Sequence, residues 1–160
     1  RCARAEVVEK LYRPCVGVVP MNRAGKLFAG QRADMDIPAW QMPQGGVDEG
    51  EDARNAALRE LLEETGVGPD QVTVLAETTD WLPYDFPAEV AGKRWGGKYH
   101  GQKQKWFLVR LEAEDDVIDL AYKDVEFSDW RWMEPADLLE AIVAFKRPIY
   151  TRVLEEFGLG

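Results

Sequence analysis

The stretch GGVDEGEDARNAALRELLEETGV, Gly45 to Val67, decides how the chain is read. At 100° per residue, Leu58, Leu61 and Leu62 fall within an arc of roughly 100°, which predicts a helix with one buried stripe. Gly66 stands where a helix ends in the left-handed region, and Asp48 or Gly50 marks the expected start. Glu60, Glu63 and Glu64 crowd a neighbouring arc, although like charges three and four residues apart repel. Ala53, Ala56 and Ala57 share the carboxylate side, and their small side chains are expected to leave space above it. Three carboxylates beside a cleft suit a hard divalent cation such as Mg²⁺, which binds carboxylate oxygens together with substrate phosphates. A bare E-x-x-E-E also fits a solvated acidic face, so its surroundings have to decide.

Outward from this helix, strands and helices are mixed. CVGVVPM (15–21) is an apolar run that predicts a buried strand, and KLFAGQR (26–32) follows the turn Asn22-Arg23-Ala24-Gly25 as a hairpin partner. DMDIPAW is a loop and WQMPQGG a short extended piece. QVTVLAETTDWL, KQKWFLVRLEAED and EFSDWRWMEP are three further strands, with a long loop, YDFPAEVAGKRWGGKYHG, between the first two. Pro135 opens a helix to about Val143, and a last helix runs from about Pro148 to Phe157 with Ile149, Val153, Leu154 and Phe157 on one stripe. Trp40, Trp106, Trp130 and Trp132 are expected in the core or scaffold. The pattern predicts an α/β fold with a mixed sheet between helices, in one domain spanning 1–160, with 1–11 a flexible segment.

Net charge is −9, from 20 basic and 29 acidic residues. That balance excludes a protein that grips long duplex DNA, which needs a basic footprint. The run KRWGGKYHGQKQK is basic without an acid, so a local anionic site fits on an acidic body. No apolar run is long enough to span a membrane, and the N-terminus lacks a signal peptide's apolar stretch. Cys2 and Cys15 form no metal-like or disulfide-like spacing. A cytoplasmic protein is the expectation.

Gly45 is followed after five residues by Glu51; seven more lead to Arg59-Glu60-Leu61, then Leu62, Glu63-Glu64, Thr65 and Gly66-Val67. This resembles the Nudix hydrolase signature position for position. The resemblance implies an α/β/α sandwich and hydrolysis of a nucleoside diphosphate linked to another group, with Mg²⁺ or Mn²⁺. It makes Glu60, Glu63 and Glu64 metal-ligand candidates, Arg59 and Glu51 a supporting ion pair, and Gly45 a turn residue with possible backbone approach to the metal. Beyond the helix, YRPCVGVV, WQMPQGG, GQKQKWFLVRL, EFSDWRW and FKRPIY resemble the bacterial RNA pyrophosphohydrolases and the related dinucleoside polyphosphate hydrolases. The implied substrates are the 5′-polyphosphate end of RNA, trimmed to a monophosphate in mRNA decay, and dinucleoside polyphosphates such as diadenosine tetraphosphate, cut to ATP and AMP.

The same resemblance assigns further roles. Glu126 is an additional carboxylate for metal or water. Arg13 and Arg32 are phosphate contacts, for which a planar guanidinium is suited. Gln44 supports the metal loop. Lys103 and Lys105 alternate with Gln104, and one set should face the polyphosphate; an exposed strand face accounts for Lys103 equally. Tyr84 and Phe145 resemble positions beside the first base, where stacking tolerates any base; core packing is the competing account, above all for Phe145. Lys146 is a phosphate or base contact. His100 reads as a surface residue. Two other functions share the helix motif: a nucleoside triphosphate pool-cleaning pyrophosphatase, and a regulatory module that has lost catalysis.

Overall fold

The computed structural model describes residues 11–91 and 94–160. Apart from Leu11, the segment expected to be flexible lies outside the described residues, as does Lys93 of the basic run.

Two long strands form the spine. β1 (Tyr12–Met21) and β7 (Gly101–Leu111) run parallel and stay in register from Tyr12 opposite Gly101 to Met21 opposite Arg110. Each changes its outer partner along its length. β1 pairs antiparallel with β4 (Gln44–Gly46) at Cys15 to Gly17 and with β2 (Leu27–Arg32) at Met21. β7 pairs antiparallel with β6 (Leu82–Asp85) at Gly101 to Gln104 and with β5 (Val72–Glu77) beyond. The sheet is extended by β3 (Trp40–Gln41) and β8 (Phe127–Met133), both on β2. The parallel pairing of β1 with β7, set among antiparallel strand pairs, makes the expected mixed sheet.

Successive strand residues point to opposite faces, and the two faces carry different cores. Val16, Val18, Phe107 and Val109 pack beneath α1 (Ala53–Thr65). Val19, Trp106 and Leu108 pack with α3 (Pro135–Ala141) and α4 (Arg147–Glu156), through Leu138, Tyr150, Val153 and Leu154. Helices therefore cover both faces. A single turn, α2 (Ala88–Ala91), sits in the segment expected as loop. None of the described helices is long and apolar enough to cross a membrane.

The buried side of α1 differs from the leucine stripe expected. Ala56, Ala57 and Leu61 are buried against the sheet; Glu63, Glu64 and Thr65 are buried as well, while Leu58 and Leu62 are only half-buried. The alanines do not leave open space above the carboxylates. Their small side chains let the helix lie close to β1 and β7, which draws the glutamate face down to the sheet. The helix begins later than expected: Asp52 is the cap, its carboxylate accepting from Asn55 N at 2.8 Å. It ends as expected, with Gly66 at φ 75° donating its N–H to Leu62 O. Trp40 and Trp106 are buried; Trp130 and Trp132 are half-buried, with Trp130 stacked on Phe28 at 5.8 Å.

Candidate active site

Arg59, on α1, organises the carboxylates around it. Its Nε and Nη2 donate to the two oxygens of Glu51, each at 2.9 Å. Nη1 donates to Glu60 at 2.8 Å and to Glu63 at 2.9 Å, and Nη2 also reaches the Gly46 carbonyl at 2.9 Å. All five N–H bonds of the guanidinium are thereby used. The hydrogen bond from Arg59 lowers the pKa of both Glu51 and Glu63, against some burial. Glu63 is held from its other side by Lys123 at 3.5 Å.

Glu60 and Glu64 lie on the inner side and share a hydrogen bond. Burial pushes Glu64 up to about 10, helped by the charges of Glu60 and Glu126, so near neutrality it holds a proton. Burial also raises Glu60, although Glu64 and Arg59 oppose that. Glu64 Oε2 is buried with no hydrogen-bond partner among the described residues. A Cβ at Gly45 would collide with the Glu60 carboxylate, so a larger residue there would force that carboxylate to turn away.

Of these carboxylates Glu60 reaches the wall of a polar cleft of about 430 Å³. Gly45, Glu60, Asp124 and Glu126 line the acidic part, and Arg13, Arg32, Gln102 and Lys146 the other. A smaller pocket adjoins the cleft, sharing Arg32, Gln44, Gln102 and Lys146 and adding Tyr84, Phe86 and Phe145. The basic side chains reach it from different elements. Arg13 lies across Gly46 and donates to Cys15 Sγ at 3.4 Å; burial raises that thiol to about 11. Arg32 is paired with Asp34 at 2.7 Å. Lys146 is 8% exposed, and its Nζ donates to Gln41 at 3.0 Å.

The sequence-derived residues thus divide. Glu60, Glu126, Gly45, Arg13, Arg32, Gln44 and Lys146 line the cleft, and Tyr84 and Phe145 line the pocket. Phe145 is not packed in the core: it is 51% exposed and stacks on Tyr84 with ring centres 6.2 Å apart. Lys103 and Lys105 do not line the cleft. They occupy the alternate strand positions, with Lys103 against the Trp81 ring and Lys105 paired with Glu77 at 3.1 Å, while Gln102 on the opposite face lines the cleft. His100 is exposed and accepts from Leu11 N. Gln41, Gln102, Asp124 and Phe86 are additions. The two-residue alternation around Lys103 pointed to Gln102; nothing in the sequence singled out Asp124.

Among the described residues no three acidic, histidine or cysteine side chains gather as a ready metal site; Glu60 and Glu63 both bond Arg59 Nη1, and Glu63 also faces Lys123. The donors nevertheless fit a hard cation. A buried Glu64 carboxyl that retains its proton and has one oxygen without a partner, beside half-buried Glu60, would be relieved by a divalent ion.

A family model described as NUDIX domain matches residues 11–153. The chain is 57% identical over 152 residues to an RNA pyrophosphohydrolase of Roseobacter denitrificans, covering 95% of each. It is 55% identical to the RNA pyrophosphohydrolase of Dinoroseobacter shibae over 92% of each. Among solved structures, it resembles a C. elegans Ap4A hydrolase in a binary complex, with TM-score 0.63, 24% identity and coverage of 90% of this chain and 98% of that one. The E. coli dihydroneopterin triphosphate pyrophosphohydrolase gives TM-score 0.71 at 22% identity, with 92% and 99% covered. The fold, the helix with its glutamates and these matches agree: the chain belongs to the Nudix family of hydrolases.

Proposed function

We propose that this enzyme trims the 5′ end of RNA to a monophosphate, releasing pyrophosphate from a triphosphate end or phosphate from a diphosphate end, and cleaves dinucleoside polyphosphates by the same chemistry. One observation carries the reading: a cleft lined by carboxylates and three cationic side chains shares four wall residues with a pocket lined by an aromatic pair. That sequence of surfaces matches a 5′ nucleotide with its polyphosphate. The named activity of the relatives at 57% and 55% identity supports RNA ends as the substrate. An acidic protein suits it, because only the 5′ polyphosphate and the first nucleotides need to be held.

Glu60, Glu64 and Glu126, with Gly45 beside them, would hold Mg²⁺, and Glu63 would join by leaving Arg59. Bound there, the ion neutralises charge on the phosphate oxygens and lowers the pKa of a water. Arg13, Arg32 and Lys146 bind the polyphosphate and orient it. The low exposure of Lys146 strengthens its charge toward a phosphate. Tyr84 and Phe145 hold the base by stacking. In the reaction a water oxygen bonds to phosphorus as the anhydride P–O bond breaks; pyrophosphate leaves from a triphosphate end, phosphate from a diphosphate end and a nucleotide from a dinucleoside polyphosphate. Glu126, exposed at the cleft rim, would take the water's proton where it does not hold the ion.

The test compares kcat/KM with Mg²⁺ on a 5′-triphosphate RNA and on diadenosine tetraphosphate, with Glu64→Gln as control. Turnover of both, faster on RNA and lost in the control, is expected. Failure on both substrates, or a fully active control, overturns the proposal.

A further inference from the structure

Three buried side chains on one face of β7 form a hydrogen-bonded row that ends in the cleft. Trp106 Nε1 donates to Gln104 Oε1 at 2.8 Å, and Gln104 Nε2 donates to Gln102 Oε1 at 2.8 Å. Trp106 is fully buried, and Gln104 and Gln102 are 4% and 8% exposed. The row has a forced direction. An indole N–H only donates, so it demands the carbonyl end of the Gln104 amide. The NH₂ of Gln104 then faces Gln102, which must meet it with its own carbonyl. The NH₂ of Gln102 is left on the far side. Among the described residues it has no protein acceptor, yet it is not among the buried atoms lacking a partner, so it opens on the cleft.

We infer that the Trp106–Gln104 relay locks the Gln102 amide with its NH₂ turned into the cleft, making Gln102 a dedicated donor to a phosphate oxygen next to the first nucleoside. The inference rests on the polyphosphate reading of the cleft. The position follows from register: Gln102 lies opposite Arg13 on β1 and opposite Tyr84 on β6, between a cationic contact and the stacking pair. It borders both the polar cleft and the aromatic pocket. The ligand class follows from polarity. A phosphate oxygen only accepts, so a carbonyl turned toward it repels and an NH₂ attracts. A ribose hydroxyl pairs with either end of an amide and would need no relay. Gln102 is the contact; Gln104 and Trp106 are positioning residues that act through it.

The experiment uses the ¹⁵N-labelled enzyme with Mg²⁺ and the α,β-methylene analogue of ATP as probe. The side-chain NH₂ signals of Gln102, identified by their loss in Gln102→Met, should shift on saturation. Gln104→Met keeps the volume but supplies no N–H to Gln102. It should weaken the probe about tenfold, the effect of a hydrogen bond to a charged group, and raise KM with little change in kcat. In the Gln102→Met background it should weaken the probe no further. If backbone signals of Gly45 and Lys146 report binding while the Gln102 NH₂ signals stay fixed, the relay inference fails. Additive losses in the double variant overturn it too. If no cleft signal moves, the polyphosphate reading falls with it.

Discussion

Arg59 grips Glu51 through two parallel hydrogen bonds, Nε to Oε2 and Nη2 to Oε1, each 2.9 Å long. Glu51 in turn accepts the Asp48 N–H at 3.0 Å, so the pair ties the loop before α1 to the helix that bears the carboxylates. A lysine carries the same charge but lacks the fork. Arg59→Lys should lower kcat at least tenfold with Mg²⁺ saturating, and Glu51→Gln, which keeps one acceptor, should lose less. Steady-state kinetics of the two variants test the ranking. Equal activity of Arg59→Lys and wild type would show that charge alone suffices.

The Glu64 carboxyl sets a pH dependence in metal-free enzyme. Its folded pKa lies at about 10, above the ordinary carboxyl value. Below the unfolded pKa both states carry the proton and the group is neutral for stability. As pH rises above that value the unfolded chain ionises first, so stability is lost progressively toward the folded pKa. Glu64→Gln removes this loss. In the presence of a chelator it should raise Tm by several degrees at pH 7.5, on the scale of about 2–4 °C per kcal/mol for a domain of this size. The gain should vanish near pH 4.5. Glu51 and Glu63, shifted downward by Arg59, act oppositely: their contribution is present above the unfolded pKa and lost as pH falls. Differential scanning fluorimetry across that range reads both signs.

Added Mg²⁺ should reverse the order. An ion that binds only the folded state stabilises it by about 2.7 kcal/mol at a hundredfold excess over Kd. Wild type should therefore gain Tm with Mg²⁺, and Glu64→Gln should gain less. Matching responses in the two proteins would place the ion elsewhere.

Gly45→Ala drives a methyl group into the Glu60 carboxylate. The carboxylate must turn away, so the variant should fold but bind Mg²⁺ at least tenfold more weakly, measured by calorimetric titration. An unchanged affinity would remove Glu60 from the metal site.

Phe145 is half-exposed and stacked on Tyr84, so its removal should cost little stability and much binding. Phe145→Ala should raise KM for 5′-triphosphate RNA by roughly 5–100-fold, the range of one base stack, while Tm stays within a few degrees. A Tm collapse would identify it as a packing residue instead.

The sequence by itself determined the helix, its glycine end, the mixed sheet and the family, because these rest on local periodicity and fixed spacing. Glu60, Glu63 and Glu64 were legible as a group for the same reason. Their separate states were not. Only the tertiary structure decided that Ala56 and Ala57, not Leu58 and Leu62, face the sheet, and so that Glu64 is buried with its proton while Glu63 is tied to Arg59 and Lys123. It also decided between the glutamines and lysines of GQKQKW: alternation is visible in sequence, but which face meets the cleft depends on what β7 packs against. Phe145 and Lys146 make the same point, adjacent in sequence yet one exposed and one buried. Period and spacing are properties of the chain alone; burial, ionisation and direction are set by neighbours far away in sequence, here the pairing of β1 with β7 and the close approach of α1.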